Sequence, residues 1–282
     1  MDIFPYHEIN SKLRYFFCKI KNYIEVPSQS RLSILAACEE PRTISKFHLQ
    51  NTPYPLPQTG QMWLEVDLLK NPKVPGVFCN TTSYRDEPHP IPGRHERVFP
   101  MFEFESHGTL DDLHTLENEL LEFLGFSSGV KVLYQDACEH YGTHELTADH
   151  EEKMVGDYGD VISLELFPES SHPFWNMKCG NNGVFHKIDV ILSGMETIGS
   201  AEREVDVDRM RDRFFTMSEG TYAQHLFQAF GRDRVVAELD DYLSLSFFPR
   251  FGGGIGMTRL ARAMENLGLI EYASHDPKKE AA

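Results

Sequence analysis

Apolar residues Ile9, Leu13, Phe16, Phe17, Ile20 and Ile24 recur three or four positions apart, the period of one helix face, and Pro27 stops the run. The pattern predicts an amphipathic helix leading into an extended segment. Leu110, Leu113, Leu116, Leu120, Leu121 and Leu124 repeat the period, with Thr109 and Asp112 spaced as a capping box and Gly125 at the stop. This second helix should lay its leucine stripe on a sheet. Between the two helices, residues 76–87 and 97–106 read as extended stretches around a loop, 88–96, that holds Pro88, Pro90, Pro92 and Gly93. They predict a long hairpin. Residues 160–167 and 184–192 add short β-rich runs, and 257–268 is a final helix entered from a glycine-rich strand. Helix, hairpin, helix, strands, helix is the order of an α+β fold with a mainly antiparallel sheet.

No repeat and no low-complexity tract interrupts this order, so residues 1–282 read as a single domain. Forty-three acidic against 27 basic residues give a net charge of −16, which excludes a broad basic surface for nucleic acid and leaves local RNA recognition open. No apolar run approaches the ~18 residues of a membrane span, and Asp2, Glu8 and Lys12 break any leader pattern. A soluble, cytoplasmic protein is expected. Cysteines 18, 38, 79, 138 and 179 are odd in number and form no CxxC pair, against a disulfide framework or thiolate metal site. His140 and His144 stand four apart, but Gly142 between them weakens the helix a metal pair would need. The ending from His275 onward reads as a frayed tail.

Three clusters carry candidate chemistry. Side chains two apart on a strand share a face, so Arg85 joins Glu87, and Phe99, Met101, Glu103 and Glu105 lie together while Phe102 and Phe104 point into the core. Such a face is either a solvated charged surface or part of a site. The loop residues Arg94, His95 and Arg97 bring cations to the end of this acidic face, as an anionic ligand carrying an amine or amide requires. In the second cluster Gly252, Gly254 and Gly256 alternate, so one strand face is bare backbone on which a planar ligand can lie, and Arg259 follows in the first helical turn. Neither a dinucleotide fingerprint nor a P-loop is present. In the third, Asp189 and Glu196 flank a turn at Ser193 and Gly194, a pair suited to a hard cation such as Mg²⁺.

Taken together the clusters resemble the class II aminoacyl-tRNA synthetases. Tyr84-Arg85-Asp86-Glu87, Arg94-His95 and Phe99 leading into Glu103 and Glu105 resemble their motif 2, and Gly254 to Arg259 their motif 3. Thr59 to Glu65, Phe174 to Lys178 and Glu196 to Glu204 are similar to the asparaginyl and aspartyl (and lysyl) subgroup, and Asn22 to Pro27 resembles motif 1, the family's dimer segment. The resemblance covers about residues 8–272. It implies an antiparallel six-stranded sheet flanked by helices, in a homodimeric, ATP- and Mg²⁺-dependent ligase that joins a small amino acid to AMP. Arg85 would hold the α-phosphate, Glu87 and Phe99 the adenine, and Arg259 the adenine and γ-phosphate. Arg94, His95, Gly254 and Gly256 would complete the nucleotide site, and Asp189 and Glu196 would hold Mg²⁺. Gln61, Glu65, Glu103, Glu105, Lys178 and Arg203 would bind the amino acid, with Glu103 near its ammonium.

Two departures shape the expectation. The family's anticodon-binding domain precedes the core, yet the motif-1-like helix begins near Met1, so a core without that domain is expected, as in stand-alone paralogues. A tRNA acceptor end then remains a partner, while anticodon recognition does not. Aspartyl enzymes carry a lysine where Leu64 stands, and asparaginyl enzymes a glutamate at the place of Glu65. An unpaired Glu65 repels aspartate, so the pocket is expected to lean toward asparagine. The alternatives are an asparagine synthetase-type enzyme using aspartyl-adenylate and ammonia, and an inactive synthetase-like regulatory dimer.

Overall fold

The first helix, α1 (Ile3–Tyr15), starts where the Asp2 carboxylate accepts the Phe4 N–H at 3.1 Å, and it ends in a π turn, Phe16–Ile20, before a short strand β1 (Ile24–Glu25). The computed structural model describes residues 1–27, 32–35, 39–91 and 93–270; Cys38, Pro92 and the tail from His275 lie outside them. Ile9, Leu13, Phe16 and Phe17 are buried as expected, whereas Ile20 and Ile24 are half exposed because the wider turn and the strand take them off the helix stripe.

A small hairpin, β2 (Lys46–Leu49) and β3 (Thr52–Pro55), precedes α2 (Gln61–Lys70), β4 (Gly76–Tyr84), β5 (Val98–His107) and α3 (Leu110–Leu124). Then come β6 (Val130–Leu133), α4 (Tyr134–Tyr141), α5 (Ala148–Tyr158), β7 (Val161–Pro168), β8 (Val184–Leu192) and β9 (Met195–Glu202). A helical insertion, α6 (Val207–Thr216), α7 (Thr221–Phe230) and α8 (Arg232–Leu243), leads to β10 (Arg250–Gly256) and α9 (Met257–Asn266). Among the described residues the main sheet has eight strands rather than the expected six, in the order β1-β4-β5-β10-β9-β8-β7-β6. The six inner strands are antiparallel throughout; β1 and β6 extend the two edges by parallel pairing.

One face of the sheet carries Phe78, Phe102, Phe104, Ile198, Phe251 and Ile255 against α1, α3 and α9. The α3 leucines supply much of this core, each worth roughly 1.5–3 kcal/mol on burial. Their register is fixed at both ends: Asp112 Oδ2 accepts the Thr109 N–H at 2.8 Å, and Gly125 takes the left-handed φ of 96° that ends the helix. The opposite face meets α2, where Leu64 and Leu68 pack on Val77 and Cys79, and the helical insertion builds a second core around Trp63, Trp175 and Phe214. No helix of the described residues is long and apolar enough to cross a membrane. His140 lies at the end of α4 and contacts Asp157 at 3.3 Å, while Gly142 at φ 63° separates His144 from that helix.

Candidate active site

Two cross-strand rows form the floor of the site. Glu103 on β5 stands opposite Gly254 on β10, Gly254 opposite Gly199 on β9, and Gly199 opposite Asp189 on β8. Aligned residues share a face, so two carboxylates flank a strip of bare backbone. The next row reads Glu105, Gly252, Ala201 and Lys187. Period-2 alternation thus assembles the glycine and acidic positions of three separate sequence clusters on one face.

Above this floor lies a cavity of about 250 Å³. Arg85, Glu87, Arg94, His95, Phe99, Glu196, Gly254, Gly256 and Arg259 all line it; Glu96, Met101, Thr197, Gly199 and Thr258 complete the wall. Three guanidinium groups converge in a chain whose net charge is −16. Arg85 is held by Glu39 at 2.8 Å and lies over the Phe99 ring, while its Nε is buried without a partner. Arg94 pairs with Glu151 at 2.5 Å and also leaves a buried nitrogen, Nη1, unpartnered. Arg259, in the first turn of α9, donates to the Glu196 carbonyl at 2.7 Å and the Arg94 carbonyl at 3.4 Å. Helix α9 therefore ties β9 to the loop after β4. Burial and the Arg259 guanidinium hold His95 below its usual range, which keeps the ring neutral beside three arginines. Arg97 is exposed and does not line the cavity; its carbonyl accepts the Arg85 N–H at 2.8 Å.

Asp189 and Glu196 come together over Gly199, where a first side-chain carbon would stand 2.9 Å from Glu196 Oε1 and 3.7 Å from Asp189 Oδ1. Lys187 pairs with Asp189 Oδ2, and Oδ1 is buried without a partner. Burial, opposed by Lys187 and reinforced by Glu196, pushes the Asp189 carboxyl up to about 7. An unpartnered carboxylate oxygen beside a second carboxylate fits a divalent cation completed by phosphate oxygens and water.

The residues expected around an amino acid divide into three groups. Glu103 is enclosed, accepting from Thr59 Oγ1 at 2.5 Å, the Gly60 N–H at 2.6 Å and Thr81 Oγ1 at 2.6 Å; burial raises its carboxyl despite these donors. Gln61, Glu105 and Arg203 form a connected unit: Arg203 donates from Nε and Nη2 to the two Glu105 oxygens at 3.2 Å and also to Gln61 Oε1, and Gln61 Nε2 donates to the Gly253 carbonyl at 2.6 Å. Burial pushes Glu105 up to about 8, with Arg203 opposing and Glu65 reinforcing the shift.

The third group departs from expectation. Glu65 is not unpaired: it is fully buried and bonded to Arg250, Tyr242 and Asn176. Leu64 is likewise 0% exposed and belongs to the α2 core, so it does not mark a missing pocket charge. Lys178 bonds Glu202 at 2.6 Å together with His186; Glu202 stands opposite Phe251, on the core face of the sheet, away from Arg203. Sequence reasoning missed Arg250. The signal was available, because Arg250 is two residues before Gly252 and therefore shares the glycine face of β10.

Solved structures with the same fold include asparaginyl-tRNA synthetase from Pyrococcus horikoshii complexed with asparaginyl-adenylate, with 21% identity and a TM-score of 0.75 over 93% of this chain and 64% of that one. The Entamoeba histolytica asparaginyl-tRNA synthetase in complex with asparaginyl-adenylate matches at 19% identity and TM-score 0.71, over 94% of this chain and 63% of that one. The Entamoeba histolytica aspartyl tRNA synthetase follows at 16% and 0.67, over 92% and 55%. This chain thus spans less than two thirds of each. No curated protein matches it. The family model for tRNA synthetases class II (D, K and N) matches residues 6–280, and the chain belongs to that family.

Proposed function

We propose that this chain is an ATP-dependent ligase that activates asparagine or aspartate as the aminoacyl-adenylate and passes the acyl group to a tRNA acceptor end or a non-standard acceptor, working as a cytoplasmic homodimer. The observation that carries the reading is the convergence of Arg85, Arg94 and Arg259 above a glycine floor edged by Asp189 and Glu196. An anionic, planar ligand matches that combination.

In the proposed reaction an oxygen of the amino acid's carboxylate attacks the α-phosphorus of ATP, the bond from phosphorus to the bridging oxygen breaks, and pyrophosphate leaves with the electron pair. No protein nucleophile is required. Arg85, whose buried Nε lacks a partner, neutralises the α-phosphate; Arg259 does so for the departing phosphates, and Phe99 with Glu87 orients the base. Asp189 and Glu196 would hold Mg²⁺, which when bound supplies further positive charge to phosphate oxygens. Glu103, fixed by Thr59, Gly60 and Thr81 beside Gly254, is positioned for the substrate ammonium. The rate gain in such a site comes from positioning and charge neutralisation.

Amino-acid-dependent ATP–pyrophosphate exchange, run across the twenty amino acids, tests this reading. Exchange with asparagine or aspartate supports it; exchange with none refutes it.

A further inference from the structure

We infer that Glu151 is a positioning residue for the nucleotide: from behind the cavity its carboxylate aims the Arg94 guanidinium and fixes the Glu196 backbone, so that both stand ready before ATP enters. The inference rests on the ATP-binding part of the reading above.

Glu151 Oε2 accepts from Arg94 Nη2 at 2.5 Å and from the Glu196 N–H at 2.9 Å. Arg259 completes a closed ring, because its Nη1 donates to the Glu196 carbonyl at 2.7 Å and its Nη2 to the Arg94 carbonyl at 3.4 Å. Four parts of the chain far apart in sequence thus meet in one circuit: the loop after β4, α5, β9 and α9. Arg94, Glu196 and Arg259 line the nucleotide cavity, whereas Glu151 does not. Its place follows from α5. Thr147 caps that helix, Met154 is buried in the core, and Glu151 and Val155, one turn apart, share the face on which the Ser193–Gly194 turn packs. A first side-chain carbon on Gly194 would lie 3.3 Å from Val155 Cγ2 and 3.7 Å from the Glu151 carbonyl oxygen. Just past that turn the register of β9 on β8 skips Thr197, since Ile191 pairs with Glu196 and Val190 with Ile198. Such a bulge interrupts the ladder, and the Glu196 N–H at its edge donates to Glu151.

What Glu151 supplies is direction. The loop backbone has its own anchors on α9, since Arg262 Nη1 donates to the Gly93 carbonyl at 2.9 Å as Arg259 does to that of Arg94. Among the described residues the Arg94 side chain has one ion-pair partner, Glu151, and the two are 10% and 19% exposed. Nη2 is spent on Glu151 while Nη1 stays buried without a partner, the nitrogen left for a ligand oxygen. A guanidinium anchored at one nitrogen keeps one orientation, and ordering it in advance removes that entropy cost from binding itself. The Glu196 backbone is held on both sides, its N–H by Glu151 and its carbonyl by Arg259, which leaves the carboxylate for a cation. One carboxylate oxygen therefore sets two groups of the nucleotide site. Glu103, Gln61 and Arg203, on the amino-acid side, bond elsewhere.

Calorimetric titration with α,β-methylene-ATP and Mg²⁺, beside ATP–pyrophosphate exchange, tests the inference. Glu151→Ala should weaken binding of the analogue roughly tenfold or more and raise the KM for ATP to match, with the KM for the amino acid unchanged. Glu151→Gln keeps an acceptor oxygen in the same place and should stay within about threefold of wild type, which separates the hydrogen bonds from the charge and from the packing of α5. In an Arg94→Met background, Glu151→Ala should weaken the analogue by less than about threefold, because the main group that it aims is gone. Three results each overturn the inference and leave the activation reading standing: unchanged affinity in Glu151→Ala, an equal rise in both KM values, or losses from Arg94→Met and Glu151→Ala that simply multiply. Glu151→Gln as weak as Glu151→Ala overturns it too. Wild type that binds no analogue overturns both.

Discussion

A first side-chain carbon on Gly252 would stand 1.7 Å from Glu105 Oε2, so the buried carboxylate occupies the space that a side chain at Gly252 would need. The same carbon would lie 2.5 Å from the Phe104 carbonyl oxygen, which a turn of Glu105 cannot relieve. Gly252→Ala is therefore expected to cost at least the ~1–3 kcal/mol typical of overpacking, read as a lowered urea midpoint. Gly256→Ala is the control, because no contact closer than 3.7 Å meets its added carbon. Equal midpoints for the two variants would contradict this packing.

Arg259→Ala should lower adenylate formation by roughly 10²–10³-fold, the effect of losing one charge contact to the reacting group. Its side chain is 29% exposed and packs no core, so the thermal midpoint should stay close to that of wild type. Exchange kinetics and a melting curve on one preparation check both halves. Undiminished exchange would remove Arg259 from the proposed site.

Glu196→Gln takes one of two carboxylates from the group over Gly199. The Mg²⁺ concentration for half-maximal exchange is predicted to rise, while activity at saturating Mg²⁺ recovers in part. An unchanged Mg²⁺ curve would place the ion elsewhere.

Glu117 gives the clearest pH dependence of stability. On the core side of the sheet it accepts from Ser200 Oγ at 2.6 Å, its other oxygen is buried without a partner, and burial pushes its carboxyl from 4.5 up to about 8. The folded protein thus holds a proton that the unfolded chain releases above about pH 4.5, so stability from this group is full below that value and falls as pH rises toward 8. Glu117→Gln should match wild type near pH 4 and exceed it at pH 8.5 by roughly 3–5 kcal/mol. Parallel denaturant midpoints across that range would contradict the assignment.

Alternation along residues 76–106 was enough to place Phe102 and Phe104 in the core and Glu103 with Glu105 on the other face, because period 2 is a local property of a strand. It was not enough to show that this face is covered, since that depends on tertiary packing: α2 lies on it, and the insertion α6–α8 packs behind α2. The nucleotide-side residues were legible for a related reason. Arg85, Glu87, Phe99, Gly254 and Arg259 are fixed by strand ends and a helix start, which local spacing reveals. The amino-acid side was not, because whether Glu65 or Lys178 is free depends on Arg250 and Glu202, which lie 185 and 24 positions away. Leu64 shows the same limit: three residues after Gln61 it lies toward that residue's helix face, and what buries it is Val77 and Cys79 on β4, a packing that the spacing within α2 does not reveal.

The most direct test of the central claim is a single-turnover reaction of the protein with Mg²⁺, α-labelled ATP and aspartate or asparagine, quenched without any acyl acceptor. The account predicts labelled aminoacyl-AMP, up to one per protomer, formed together with pyrophosphate. Labelled ADP with inorganic phosphate, or no amino-acid-dependent product, would contradict it.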